Sequence, residues 1–231
     1  TPNRIGEYGG RIFHLRIANP IKATLVTIIG GLSQLIVTIL IGAFSLLFFI
    51  PQYIMVSNYL NQIQYFIIVF VFSLTMLSLP YLYINSSFLS HVFKRLPLPV
   101  NIKKYTRIFA WFTPVELIWS MLYSFGRYFV FSLQYFILLR IFGVNIPYST
   151  GFMMISMTYL VMTAIPTIAI AELGIRGSVA IYFIGLISPN TIGILSASFV
   201  LWLVNLAIPA IIGTFFVFNL IVLIKFSFFL S

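Results

Sequence analysis

From Ala23 to Ile50 the chain runs on with Gln34 as its only strongly polar side chain, and this length of unbroken apolar sequence constrains the fold more than any other feature. A run of that length matches the ~20 residues an α-helix needs to cross the hydrocarbon of a bilayer. Comparable stretches recur at about 63–84, 114–142 and 191–224, and a shorter one covers 149–165. They are long and rich in Leu, Ile and Phe rather than short and alternating, so they read as helices and not as strands of an outer-membrane barrel. With 61% hydrophobic and 7% charged residues, the chain has too little polar surface to face water. The expected class is an all-α, polytopic membrane protein.

Breaks between the runs follow local chemistry. Pro51 ends the first span, whose Gly30-Gly31 and Gly42 suit close helix contact. The second is interrupted near its end by Pro80. Thr113-Pro114-Val115-Glu116 reads as a helix start, with Thr as N-cap, Pro at the first position and Glu reaching back to the cap. The helix it opens, to about Phe142, would be roughly 43 Å long at ~1.5 Å per residue. The segment 149–165 is at the lower limit for spanning and stops at Pro166. Ser188-Pro189-Asn190 makes a turn, and Pro209 predicts a kink or break in the last run. Trp111 and Trp119 suit an interfacial belt.

Charge is scarce and clustered. Lys and Arg number four before the first span, none in the 52–62 connection and five in the 85–107 segment. That asymmetry places residues 1–22, read as a short interfacial helix, and 85–107 on the cytoplasmic side, in a bacterial inner membrane. The formal charge of +10 then meets anionic headgroups, and no basic groove for nucleic acid is seen. Cysteine and aspartate are absent and His14 and His91 stand alone, so neither a metal nor another cofactor is expected.

The few acids stand in a repeated pattern. Glu7-Tyr8-Gly9-Gly10-Arg11 and Glu172-Leu173-Gly174-Ile175-Arg176 both read Glu-x-Gly-x-Arg, with a proline before each (Pro2, Pro166) and another after it (Pro20, Pro189) ahead of a long apolar run. This predicts two pseudo-repeats in one transmembrane domain, residues 1–107 and 108–231, each with a short or re-entrant charged motif helix. If the stretch 166–187 completes a crossing, the copies are inverted, as in transporters with a midplane site. The second half has two apolar helices before its motif, so the repeat also predicts about 60–80 residues ahead of Thr1, at ~20 per span plus connections.

Thr-Pro-Asn-Arg-Ile-Gly-Glu with Arg11, and Ala-Glu-Leu-Gly-Ile-Arg-Gly after Ile165-Pro166, resemble the two signature segments of the lysylphosphatidylglycerol synthase transmembrane region family. The likeness extends over nearly the whole chain. In that family the second segment usually reads Pro-Gly-Gly-Leu-Gly-Val-Arg-Glu, so Leu173-Gly174-Ile175-Arg176 matches its core. Glu172 stands where a Gly is usual, and Gly177 where the Glu is usual. The resemblance implies a stand-alone flippase-like domain, without the synthases' soluble aminoacyltransferase, that moves a charged lipid between leaflets.

Glu172 and Arg176 are four apart and would pair on one helix face. Such a pair either only neutralises itself in apolar surroundings or lines a cavity that binds a lipid phosphate, since intramembrane charges mark pathways and ligand sites. Glu7 and Arg11 take the same two readings, nearer the interface. Arg127 would lie roughly 20 Å into its helix, too deep to snorkel, and needs Glu172, Glu7 or a phosphate as partner. Arg140, near the helix end, snorkels. The expected site is therefore Arg176, Glu172, Arg127, Arg11 and Glu7. The glycines Gly174, Gly177, Gly9 and Gly6, beside Pro166 and Pro2, would let backbone N–H groups approach the headgroup.

The expected partners are a phospholipid or other anionic lipid and the membrane, and self-association is compatible with the composition. A membrane-embedded transferase acting on a lipid-linked substrate is the alternative, although three glutamates without aspartate make no acid–base cluster. A non-transporting accessory subunit is the other. Cysteines introduced at Asn58 and Ser90 are expected to react with an impermeant thiol reagent from opposite sides of the membrane. Labelling from one side would contradict the orientation.

Overall fold

The computed structural model describes residues 20–49, 51, 61–85, 112–165 and 169–214, and among these every regular element is helical. The helices are α1 (Pro20–Phe49), α2 (Gln62–Ile84), α3 (Pro114–Ile141), α4 (Tyr148–Ala164), α5 (Ala169–Ile184) and α6 (Thr191–Trp202). A π-helical segment, Leu203–Ala207, carries α6 onward to Thr214. Three helices, Val26–Phe49, Gln62–Ile84 and Thr191–Thr214, are long and apolar enough to cross a membrane. The chain thus has the build of a membrane protein. Pro2, Gly6, Glu7, Gly9, Arg11, Pro166, both histidines, Trp111, the basic segment from 86 to 107 and the half-repeat boundary lie outside the described residues.

The prolines act as their chemistry requires, with one exception. α1 starts on Pro20, whose missing N–H is no loss in a first turn, and ends two residues before Pro51. α2 does not break where the sequence suggests; it continues through Pro80 to Ile84. Pro209 is accommodated upstream instead. The π-helical segment lets the Ile208 N–H reach the Leu203 carbonyl, opening the turn just before the proline ring.

α3 opens with the predicted box: the Glu116 carboxylate accepts from the Thr113 N–H at 2.8 Å, and the Thr113 hydroxyl accepts from the Glu116 N–H at 3.3 Å. At its other end Gly143 takes φ +75°, allowing the Val144 N–H to reach Leu139 O at 2.9 Å and the Gly143 N–H to reach Arg140 O at 3.1 Å. This pair of bonds closes the last carbonyls and folds Val144 into the core. Arg140 donates to Ile146 O at 3.5 Å across the same turn.

α4 and α5 form a helical hairpin. Tyr148 at the start of α4 packs on Phe136 at 5.0 Å, and Phe183 at the end of α5 packs on Phe49 at 6.0 Å. The α3–α4 and α5–α6 turns meet at that end, where the Asn190 amide donates to Phe142 O at 3.0 Å. Deeper in, Tyr159 donates to Phe131 O at 3.3 Å and its ring meets Tyr128 at 5.7 Å. At ~1.5 Å per residue α4 and α5 are roughly 25 and 24 Å long, whereas α3 continues ~20 Å beyond Arg127. The hairpin therefore enters beside α3, reaches its middle and returns. α5, 16 residues long and starting beside the middle of α3, is the short charged motif helix expected in the second half.

Around this hairpin α1, α3 and α6 supply the walls. One core joins Tyr135 and Leu139 of α3, Met154 and Ile155 of α4, Ile184 of α5 and Ile194 of α6. A smaller one joins Ile29 and Ile36 of α1 to Leu117 and Tyr83, where the Ser33 hydroxyl bonds Ser120 at 2.7 Å and also the Tyr83 phenol. α2 packs on α1 and lightly on α3. Its Ile63, Phe66, Phe70, Leu74 and Leu77 are all exposed, apolar around the helix as a lipid-facing span should be. Ser73 and Thr75 satisfy their hydroxyls on carbonyls four residues back.

The end-to-end clasp is tight enough to test. Asn190 accepts the Gly193 N–H at 2.9 Å, and a Cβ on Gly193 would lie 2.5 Å from Phe142 O. Gly193→Ala is expected to destabilise by about 1–3 kcal/mol, since the neighbour is backbone and cannot turn aside. Gly126→Ala, with nothing within 4 Å, should be neutral or slightly stabilising. Thermal unfolding in detergent compares the two, and equal midpoints would contradict the clasp.

Candidate functional site

A cavity of about 580 Å³ opens where the hairpin stops. Its lining comes from the middle of α1 (Gln34, Thr38), the middle of α3 (Arg127, Tyr128, Phe131), the end of α4 (Tyr159, Thr163), the first half of α5 (Glu172, Arg176) and the π-helical segment (Asn205). Two short helices ending at mid-depth leave room that full-length helices would fill.

α5 sets the ion pair. Glu172 lies in its first turn, where the positive end of the helix dipole favours a carboxylate, and Arg176 follows one turn on. Arg176 Nη2 donates to Glu172 Oε1 at 2.6 Å, with side chains only 15% and 10% exposed. The guanidinium is not fully used: Arg176 Nε is buried and has no partner among the described residues. Arg127 joins the lining from α3. It forms no ion pair among the described residues, and its guanidinium instead lies 5.3 Å from the Phe131 ring centre, an attraction worth ~0.5–1 kcal/mol where exposed. Of the three partners expected for Arg127, Glu172 is not paired with it, Glu7 lies outside the described residues, and a phosphate remains a proposal.

The structure brings Arg176, Glu172 and Arg127 onto one cavity, while Arg11 and Glu7 lie outside the described residues. The expected role of the motif glycines is corrected. Gly174 and Gly177 sit inside α5 beyond its first turn, where backbone N–H groups are committed to the helix and cannot reach a ligand. Gly177 serves packing instead, since a Cβ there would come within 2.9 Å of Leu195 on α6.

Sequence reasoning missed part of the lining. Gln34 was visible as the only strongly polar side chain of the first span, and its buried Oε1 has no partner. Asn205, which donates to Gln134 Oε1 at 3.0 Å, was hidden in the last apolar run. Tyr159 and Tyr128 carry no signal that separates them from the many packing aromatics.

The lining therefore offers two guanidiniums against one carboxylate, with amides and hydroxyls alongside. Such a set can hold a phosphate and a polar group attached to it, and it contains no nucleophile–base pair. Compared with family models, curated proteins and solved structures, the chain finds no match.

Proposed function

We propose that the protein binds the charged headgroup of an anionic lipid in this cavity and carries it between leaflets. The observation that supports this best is that Arg127 of α3 and Arg176 of α5 line one cavity at the end of two short helices. Charges at such depth are costly in hydrocarbon and are kept where they line a pathway or bind a ligand. Arg127, which has an aromatic contact and no counter-ion among the described residues, can offer its charge to a phosphate. Arg176, with Nε free, can add a second contact while remaining bonded to Glu172.

The proposal includes the inverted repeat. α1 and α6 each follow one copy of the Glu-x-Gly-x-Arg motif, and they run in opposite directions: α1 ends beside Phe183, near where α6 begins. In that arrangement Arg11 and Glu7 form the counterpart of Arg176 and Glu172. Membership of the lysylphosphatidylglycerol synthase transmembrane region family, and a bacterial inner membrane as location, belong to the same reading.

Paired substitutions separate binding from scaffold. Glu172→Gln alone removes the carboxylate that Arg176 bonds, at a cost of about 3–5 kcal/mol if the site is fully dry, and Arg176→Gln alone is also expected to destabilise. The double variant removes both charges and is expected to unfold near the wild-type temperature yet to scramble fluorescent lipid in liposomes at least about tenfold more slowly. Arg176→Lys should also be impaired, because an ammonium cannot reproduce bidentate phosphate contact. A stable double variant with wild-type scrambling would contradict the binding role of Arg176.

A further inference from the structure

Ser132 departs from the habit of its neighbours. Ser156 and Thr158 of α4 and Ser198 of α6 return their hydroxyls to the carbonyl four residues back, at 2.8, 2.9 and 2.9 Å, which is how a buried serine or threonine is satisfied inside a helix. Ser132, on α3 and only 1% exposed, does not: its Oγ has no partner among the described residues. One turn earlier on the same helix the hydroxyl of Tyr128, 2% exposed, is also buried and unpartnered. The other atoms of this kind are Gln34 Oε1 and Arg176 Nε, which line the cavity with Tyr128, and Trp202 Nε1, whose residue is not in its lining.

Facing this pair from α4 is Ser156, fully buried. The Ser132 and Ser156 hydroxyls both come within reach of the Tyr128 phenol, yet neither settles into a hydrogen bond with it. Their chemistry states what would satisfy them. Ser156 commits its hydrogen to Phe152 O and has only lone pairs to offer, whereas Tyr128 and Ser132 each hold an O–H with no acceptor. The complementary group must accept twice and donate once. A metal cation cannot accept, and it would sit without a carboxylate beside a cavity that carries Arg127 and Arg176. An unprotonated anion cannot donate to Ser156. A water molecule does both. The hydroxyls do not lead onward as a path for protons, because the row along α3 continues to Tyr135, which bonds Ser198, and then to the fully buried Leu139.

We propose that Tyr128, Ser132 and Ser156 form a binding site for one structural water, which accepts from the Tyr128 and Ser132 hydroxyls and donates to Ser156 Oγ. That gives it about three hydrogen bonds, the usual number for a buried water. The water bonds the first arm of the hairpin to α3 beside the cavity, and the inference holds whatever ligand the cavity takes.

The test uses the full chain, labelled with ¹³C-tyrosine and reconstituted in liposomes, and reads magnetisation transferred from water to the tyrosines by solid-state NMR. The Tyr128 signal is the one lost in Tyr128→Phe. Wild type is expected to show transfer to Tyr128, and Ser132→Val, which replaces the donor with a methyl group, is expected to lose it. Ser132→Ala provides the same measurement if the valine variant does not fold. No transfer in wild type, or transfer that is unchanged in a folded Ser132 variant and so comes from the open cavity, overturns the site. Thermal unfolding of Tyr128→Phe gives a second reading through its sign. With the water in place the variant deprives it of a donor and melts below wild type. Melting at or above wild type, the result of removing a hydroxyl that nothing satisfies, also overturns the site.

Discussion

Hydrocarbon offers no hydrogen bonds, so each polar group placed at depth must find its partner inside the protein, and the layout of this chain follows from that demand. The Glu172–Arg176 contact is its sharpest expression. A carboxylate and a guanidinium one helical turn apart satisfy each other at 2.6 Å and so allow a short helix to begin at the middle of the bundle rather than at its edge. The same rule acts on smaller groups. Thr38, Ser73, Thr75, Thr158 and Ser198 return their hydroxyls to carbonyls four residues back, and Tyr135 meets Ser198 at 2.5 Å between α3 and α6. Among the described residues, five buried side-chain atoms lack a partner, and three of them, on Gln34, Tyr128 and Arg176, line the cavity where the hairpin stops.

Packing fixes the cavity as firmly as the charges do. α1 and α4 approach so closely at Gly42 that a Cβ there would lie 2.6 Å from Leu160, and Gly151 and Gly177 make similar approaches to Phe136 and Leu195. Close backbones strengthen dispersion contact where burial from water offers little between helices already in lipid. With α4 held to α1 and α5 held to α6, the hairpin cannot slide further inward to fill the space. The opened turn before Pro209 brings Asn205 to the same level from the remaining side.

Much of the helical layout was legible because each signal is local. The capping box at Thr113, the stop before Pro51, the 17-residue length of α4 and the spacing of Glu172 and Arg176 are all decided within a few residues. A short charged motif helix was legible too, from Glu172 and Arg176 standing inside apolar sequence. How α4 lies against α3 was not: its contacts with Phe136 and Phe131 join residues far apart in the chain. Arg127 shows the same limit, since depth marked it as needing a partner but sequence favoured a carboxylate over the adjacent Phe131 ring. Gln34 stood out by composition, yet its place on the same cavity as Arg176 depends on how α1 is rotated against α4. For the motif glycines, the periodicity that makes α5 a helix also takes their N–H groups out of reach.

The central claim is that the α4–α5 hairpin stops inside the bilayer and opens a polar cavity there. The chain has no cysteine, so Ala164→Cys at the end of α4 and Ser188→Cys at the bundle end can each carry a single nitroxide in reconstituted vesicles. Power-saturation measurements with oxygen and a water-soluble nickel chelate report depth and polar access at both sites. A label at 164 well below the headgroups, with nickel access above that of a lipid-facing label at the same depth, is expected, beside an interfacial value at 188. Equal, interfacial depths at the two positions would contradict the claim.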